Sequence, residues 1–256
     1  MADAPAARQA LETLALLGRQ AAPIPAATIA RELGMPRSTT YRLLNVMVEQ
    51  GFVVHLTDER RYGLGVAAFE LGFAYSRQAP LQWLARSGLA RLVDQTRHNG
   101  HFAILHGNDV LYVIEERAAG RPSLVTDVGV RLPAHLTASG LAMLAELSPR
   151  QLQAIFPNDH LFVQRQEGKG ITSLAQLRAL LRTTRAAGYA EEDGSITAGF
   201  ASVGCAVVDH GGHPVAAMAL TFPSRELDRA ARDELGARVR IAATQVSRAI
   251  GGHAYV

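Results

Sequence analysis

Residues 37 to 42 read Arg-Ser-Thr-Thr-Tyr-Arg, a run that places two guanidinium groups and several hydroxyls on a short piece of chain. Arg37 and Arg42 can reach phosphate oxygens or guanine edges, Ser38, Thr39 and Tyr41 can hydrogen-bond phosphate, and the methyls of Thr39 and Thr40 can meet thymine. Arg60 and Arg61 form a second cationic pair. A different chemistry is open to Ser139, His135 and Asp127, which supply the nucleophile, base and orienting acid of a hydrolytic triad. No G-x-S-x-G elbow accompanies them. A small-molecule hydrolase built on Ser139 and His135 is therefore the alternative to a reader of nucleic acid. His98, His101 and His106 could serve as metal ligands, but Asn99-Gly100 and a strand-like stretch keep them off one face, and zinc sites show tighter ligand pairs. His210 and His213 flank a Gly-Gly turn and read as loop residues. Neither a metal nor a cofactor is expected.

The basic run sits where a recognition element would. Ala26 to Leu33 repeats apolar residues at Ile29, Ala30 and Leu33, Gly34 supplies a left-handed turn, and Pro36 suits the first turn of a new helix. From Arg37 to Gln50, Thr40, Leu43, Leu44 and Met47 share one side, while Ser38, Arg42, Asn45 and Glu49 share the other. Gly51 ends that helix. Phe52 to His55 and Arg61 to Leu64 then read as two strands around Thr57-Asp58-Glu59-Arg60. Two helices at a tight corner followed by a basic hairpin make a winged helix-turn-helix, whose second helix enters the DNA major groove. A preceding helix marked by Ala10, Leu11, Leu14 and Leu17 would cover the unit, with a loop at Ala21 to Pro25. Residues 1 to 65 hold seven Arg against six acidic residues, so local placement favours double-stranded DNA and bulk charge does not.

The chain has 256 residues, which is room for a second domain with its own core. We expect a DNA-binding domain at 1–65, a linker helix at 66–79 and a further domain at 80–256. With 48% apolar and 19% charged residues the composition is that of a globular protein. No apolar run reaches the roughly 20 residues of a membrane helix. The N-terminus, with Asp3 ahead of Arg8, fits neither a signal nor a transit peptide, so the cytoplasm is the expected location. A single cysteine, Cys205, excludes an internal disulfide. Val66 to Arg77, with Phe69, Leu71, Phe73 and Ala74, reads as a helix that buries its apolar side against another subunit. Beyond Pro80 the pattern gives a helix at 81–97, strands at 102–105, 110–115 and 123–128, helices at 138–147, 149–156 and 174–187, a hairpin of 201–208 with 214–222, and a last helix at 226–250. Strand pairs separated by helices indicate an α+β fold with an antiparallel sheet flanked by helices.

Several of these segments carry a family resemblance. PRSTTYRLL, the wing ending RYGLG, VGVRLPAHLTASGLAML, RAAGYA and the hairpin leading into ALTFPSREL occur in the order found in the IclR family of bacterial transcriptional regulators, and the chain resembles that family from about Arg8 to Gly251. The resemblance implies an N-terminal winged helix-turn-helix, a linker helix and a GAF-like C-terminal domain that binds a small-molecule effector. It also implies a homo-oligomer, dimer or dimer of dimers, acting on a catabolic operon. By resemblance the effector pocket comprises Leu132, Pro133, Ala138, Ser139, Glu192, Ser202, Ala219 and Thr221. Physical chemistry adds a reason at one end: Ala138, Ser139 and Gly140 open a helix, where free N–H groups and the dipole favour a carboxylate. Ser202 and Thr221 would point hydroxyls from adjacent strands if the hairpin is in register. Two positions depart from the family pattern. Leu141 stands where a lysine is common, and Gly194 and Ser195 stand where a Glu-Glu pair is common, with Glu191, Glu192 and Asp193 slightly earlier. A less polar pocket suits an acid with an apolar body, an aromatic acid first and a short keto acid second.

Overall fold

Ile29 and Leu44 are fully buried where two short helices meet, and the N-terminal part of the chain is organised around that contact. The structure, a computed structural model, describes residues 4–78, 80–122, 124–166 and 170–252. The chain divides into two compact units, residues 1–79 and 80–256.

The first unit runs α1 (Pro5–Gly18), β1 (Ile24–Pro25), α2 (Ala26–Glu32), α3 (Arg37–Glu49), β2 (Val53–Leu56), β3 (Arg61–Leu64) and α4 (Val66–Gln78). Gly34 takes φ +62° between α2 and α3, the left-handed conformation that turns the chain without a Cβ penalty. Leu16, Leu17, Met35, Met47, Val53 and Tyr62 close the core around Ile29 and Leu44. Two expectations change here. Leu11 is 67% exposed, because α1 turns Thr13, Leu16 and Leu17 inward, with the Thr13 hydroxyl satisfied by the Gln9 carbonyl at 2.7 Å. The segment before α2, read as loop, contributes a strand: Ile24 pairs with Tyr62 and Pro25 with Arg61, so the wing sheet has three strands in the order β1-β3-β2. On α4, Val66, Phe69 and Leu71 are exposed; the side chains of Phe73 and Arg77 lie outside the described residues.

The second unit runs α5 (Pro80–Thr96), β4 (Asn99–His106), β5 (Asp109–Glu116), β6 (Arg131–Pro133), α6 (Ala138–Ala145), α7 (Pro149–Ile155), α8 (Leu174–Ala187), β7 (Ala190–Asp193), β8 (Phe200–Val208), β9 (Pro214–Pro223) and α9 (Arg229–Ala249). Its strands form one antiparallel sheet in the order β6-β5-β4-β9-β8-β7. Period-two alternation splits each strand between two cores. Phe102, Ile114, Val203, Cys205, Met218, Leu220 and Phe222 pack with α5 and α9, while Ala103, Tyr112, Ala190, Ala206 and Ala217 pack with α6 and α8. The architecture is mixed α+β.

The strand expected at 123–128 is absent over 124–128, and Ser123 lies outside the described residues. Its place at the sheet edge is taken, because β6 pairs Leu132 with Val110 and the Tyr112 backbone bonds Val130 and Gly129. A segment with no ladder to join stays irregular. It is held by side chains instead: Thr126 bonds the His101 ring, Arg117 reaches Asp127, and Asn99 donates to the Pro122 carbonyl.

Candidate nucleic-acid interface and buried recess

On α3, Thr40, Leu44 and Met47 face inward, and Arg37, Ser38, Tyr41, Arg42 and Asn45 face outward, with Thr39 half-buried. Tyr41 is 50% exposed. Thr40 is not available to a thymine: it is 1% exposed and donates its hydroxyl to the Pro36 carbonyl at 3.1 Å. Pro36 is the N-cap and no side chain caps the helix, so the first N–H groups of α3 remain open beside Arg37 and Ser38. Among the described residues Arg37, Arg42 and Arg60 meet no carboxylate, so their positive charge is uncompensated locally. Arg61 is different. Its Nη1 donates to the Pro23 carbonyl at 3.1 Å and its Nε lies 4.0 Å from Glu59, so it ties β1 to the wing. Of the two wing arginines expected to reach phosphate, Arg60 has the open head and Arg61 is engaged at home.

The second unit holds a recess of about 390 Å³ of empty space, part of it open to solvent, between the sheet and the start of α6. His101 comes from β4, Tyr112 from β5, Glu192 from β7, Ser202 from β8, and Ala219 and Thr221 from β9. Strand register brings them together: Glu192 lies opposite Ser202, Ser202 opposite Thr221, and His101 opposite Ala219. Two glycines let α6 approach. A Cβ at Gly204 would stand 3.0 Å from the Ala138 backbone, and one at Gly140 would stand 2.1 Å from the Ala134 oxygen. Leu124, Thr126, Ile196, Thr197 and Phe200 complete the walls.

A hydrogen-bonded chain crosses this wall. Glu192 accepts from the Ser202 hydroxyl at 2.8 Å and from the Ser195 N–H at 3.1 Å. Ser202 and Thr221 hydroxyls are 3.0 Å apart, Thr221 is 3.5 Å from His101 Nδ1, and Thr126 is 2.6 Å from His101 Nε2. Burial pushes the Glu192 carboxyl up to about 7 even though Ser202, Ser195 and Ile196 hydrogen bonds favour its ionised form. Burial drives His101 down to about 4, helped by Arg117. Tyr112 is raised by burial and then by Glu192, with Ser139 and Thr137 hydroxyls pulling the other way. Facing this wall, Thr137 caps α6 by accepting from Gly140 N–H at 2.9 Å, and Leu141 N–H bonds the Thr137 carbonyl. Among the described residues the Ala138 and Ser139 N–H groups have no partner, and Ser139 Oγ, in a residue 1% exposed, makes no hydrogen bond of regular geometry.

Ala138, Ser139, Glu192, Ser202, Ala219 and Thr221 thus line one recess; Leu132 and Pro133 do not. Leu132 points into the core shared with Val110 and Leu141, and Pro133 ends β6 opposite Asp109. His101 and Tyr112 are recess residues that the sequence reading missed. The alternation Gly100/Phe102 against His101/Ala103 was the available signal for His101, since it puts the imidazole on the face away from Phe102. The three histidines considered as metal ligands are dispersed: His98 lies against Phe222 and Arg121, His101 sits in the recess, and His106 meets Arg131.

A family model described as IclR helix-turn-helix domain matches residues 6–56, and one described as Bacterial transcriptional regulator IclR C-terminal matches residues 73–248. The chain belongs to the IclR family. It is similar to the acetate operon repressor of Salmonella typhimurium, at 27% identity over 226 residues, 88% of this chain and 82% of that protein. Its fold matches that of an IclR transcriptional regulator from Alicyclobacillus acidocaldarius, with a TM-score of 0.84 at 21% identity, covering 98% of this chain and 100% of that one. It also matches that of an IclR homologue from Microbacterium hydrocarbonoxydans complexed with 4-hydroxybenzoate, with a TM-score of 0.81 at 23% identity, covering 96% and 98%.

This IclR-family chain is therefore a transcriptional regulator and not an enzyme, and the triad reading fails on geometry as well. His135 Nε2 is 2.9 Å from the Val163 carbonyl and its ring packs edge-on against Phe156 and Phe162. Asp127 bonds the Val128 N–H and Arg117, and Ser139 Oγ bonds neither residue. No helix among the described residues is long and apolar enough to cross a membrane.

Proposed function

We propose that this regulator binds double-stranded operator DNA through Arg37, Ser38, Thr39, Tyr41 and Arg42 of α3 and through Arg60 of the wing, as a homo-oligomer whose paired half-sites lie about 34 Å apart or a multiple of that. Residues 1–65 are the DNA-binding module, 66–79 the linker, and 80–256 the effector and oligomerisation module. A small organic acid in the recess changes DNA affinity, and only to the extent that it prefers one of two states of the protein.

The observation that carries the effector half is the start of α6. Two partnerless N–H groups and the buried Ser139 hydroxyl converge where the helix dipole is positive, which favours a carboxylate. Leu124, Ile196 and Phe200 supply apolar walls for the body of the acid, a lining whose chemistry suits an aromatic ring. The IclR homologue of similar fold that is complexed with 4-hydroxybenzoate supports the same class.

The test is a titration of DNA from the region upstream of the regulator's own gene, with and without aromatic and keto acids. An acid should shift DNA affinity for the native protein. Thr221→Ala should bind DNA normally and lose most of the acid response, since its hydroxyl joins Ser202 to His101. DNA affinity indifferent to every acid in the panel would sink the effector half, and absence of any bound operator would sink the other.

A further inference from the structure

We propose that the recess takes its acid together with one proton, carried by Glu192, and so admits a monocarboxylate with a second, uncharged oxygen while rejecting dicarboxylates. The inference rests on the effector reading above, and it follows from counting charges.

Glu192 is 9% exposed and its carboxyl lies in the wall of the recess. Among the described residues the lining contains no lysine and no arginine. Ser202 of β8 faces Glu192, Thr221 of β9 follows, and beyond Thr221 lie His101 of β4 and Tyr112 of β5; α6 presents Ser139, and the turn after β7 presents the Ser195 N–H. On its other side α8 presents Leu180, Thr183 and Thr184. The charged neighbours are already occupied. Arg229 of α9 pairs with Glu191 and Asp233 at 2.8 Å each, and Arg232 pairs with Glu191 at 2.7 Å and Asp193 at 2.9 Å. An acid seated at the start of α6 would thus be the second negative charge beside a buried carboxyl, in a recess whose described walls offer no side-chain cation. Two carboxylates sharing a site do not both stay ionised, and one takes up a proton.

Which group takes it is decided by environment. Buried between two hydroxyls, His101 is held down to about 4, whereas the Glu192 carboxyl is already near neutrality at about 7, so Glu192 protonates first. The protonated carboxyl then offers an O–H to a hydroxyl or carbonyl oxygen on the ligand. A ligand that brought a second carboxylate to the same place would need a second proton or leave a buried charge unpaired.

Calorimetry with 4-hydroxybenzoate near pH 8, in two buffers of different ionisation heat, reads the proton directly. The native protein should take up about one proton per ligand, and its Kd should rise about tenfold per pH unit above 7. Glu192→Gln, which keeps an uncharged donor, should bind with no proton uptake and a flat pH profile. Terephthalate, the same ring with two carboxylates, should bind far more weakly than 4-hydroxybenzoate to the native protein. Binding of 4-hydroxybenzoate without proton uptake, or equal binding of terephthalate, overturns the inference while the effector reading stands. If neither protein binds 4-hydroxybenzoate even near pH 6, the aromatic reading falls, and the proton carrier is judged on the ligand-free protein labelled with ¹³C-glutamate. A Glu192 carboxyl that titrates near pH 7 supports it, and one that titrates below about pH 5 overturns it.

Discussion

The outer face of α3 and the recess of the second unit both suit anions, yet they are built on opposite plans. On α3 the cations are exposed and locally uncompensated, the arrangement that a polyanion with condensed counterions rewards. In the recess the described walls hold no side-chain cation: open N–H groups at a helix start face a buried chain of hydroxyls, a neutral imidazole and a carboxyl. The first design needs little besides a stable helix. The second needs backbone placed to within a few tenths of an ångström, so the two should differ sharply in what breaks them.

The largest effect should come from Gly140→Ala. Its Cβ would stand 2.1 Å from the Ala134 oxygen, a clash with backbone that cannot be relieved by a rotamer, and we expect a loss of about 3 kcal/mol or more together with the acid response. Gly34→Ala in the first unit meets nothing within 4 Å and strains only a φ of +62°, so about 1 kcal/mol is expected. Chemical denaturation of both variants checks the contrast; equal losses would show that the recess tolerates displacement as well as the helix corner does.

Next in size are two opposing pH slopes. His101 has a depressed folded-state value, so its contribution is present above its ordinary value of 6.5 and is lost as pH falls from there toward about 4. Glu192 has a raised value, so its contribution is present below 4.5 and is lost as pH rises from there to about 7. Each is worth at most about 3.5 kcal/mol over its window, from about 1.4 kcal/mol per pH unit. Between about pH 4.5 and 6.5 they oppose each other and the native protein should be nearly flat. His101→Gln should make stability fall with rising pH, and Glu192→Gln should make it rise. Urea midpoints measured across that range would settle it, and parallel slopes for the two variants would contradict the buried chain.

That contrast also explains what could be read from the residues alone. The faces of α2 and α3, the wing hairpin and the β8–β9 hairpin are local patterns, in which Ile29, Thr40, Leu44 and Met47 declare their side by spacing. Ser202 and Thr221 could be paired because a short turn fixes their register. The rest of the recess is non-local. His101 reaches the wall through the β4–β9 pairing, which joins segments more than a hundred residues apart, and Tyr112 arrives through β5. Alternation along β4 gives the face of His101, but no period in the sequence announces which residues it or Tyr112 will meet there. Leu132 and Pro133 were assigned by resemblance, and the β6 register turned Leu132 into core. The stretch from Leu124 to Val128 departs from expectation for a related reason: strand-like residues make a strand only where a neighbouring edge is free.

Arg42→Ala tests the exposed side of the comparison. A bidentate contact to a base should be worth about 1 to 3 kcal/mol of operator affinity and should relax specificity at one position. Removal of a phosphate contact, expected for Arg37→Ala, should weaken binding to all sequences and reduce the salt dependence by about one counterion. Mobility-shift titrations at two salt concentrations separate these outcomes, and an Arg42→Ala affinity unchanged at both would remove Arg42 from the interface.

The smallest expected effect is at the wing, where two adjacent arginines should behave in opposite ways. Arg60 holds a left-handed φ of +52°, a conformation that costs an ordinary side chain energy and costs glycine little. Arg60→Gly should therefore raise stability by about 0.5 to 1 kcal/mol while weakening DNA binding, because the open guanidinium is lost. Arg61→Ala should do the reverse, since its hydrogen bond to the Pro23 carbonyl helps to hold β1 on β3, and its removal loosens the wing by at most about 1 kcal/mol with little direct effect on DNA. Paired measurements of unfolding midpoint and operator affinity on the two variants decide the matter. If Arg61→Ala reduces affinity more than Arg60→Gly at unchanged stability, the engaged arginine is the one that leaves its partner for the phosphate, and the wing reads DNA by rearranging instead of by presenting a side chain already free.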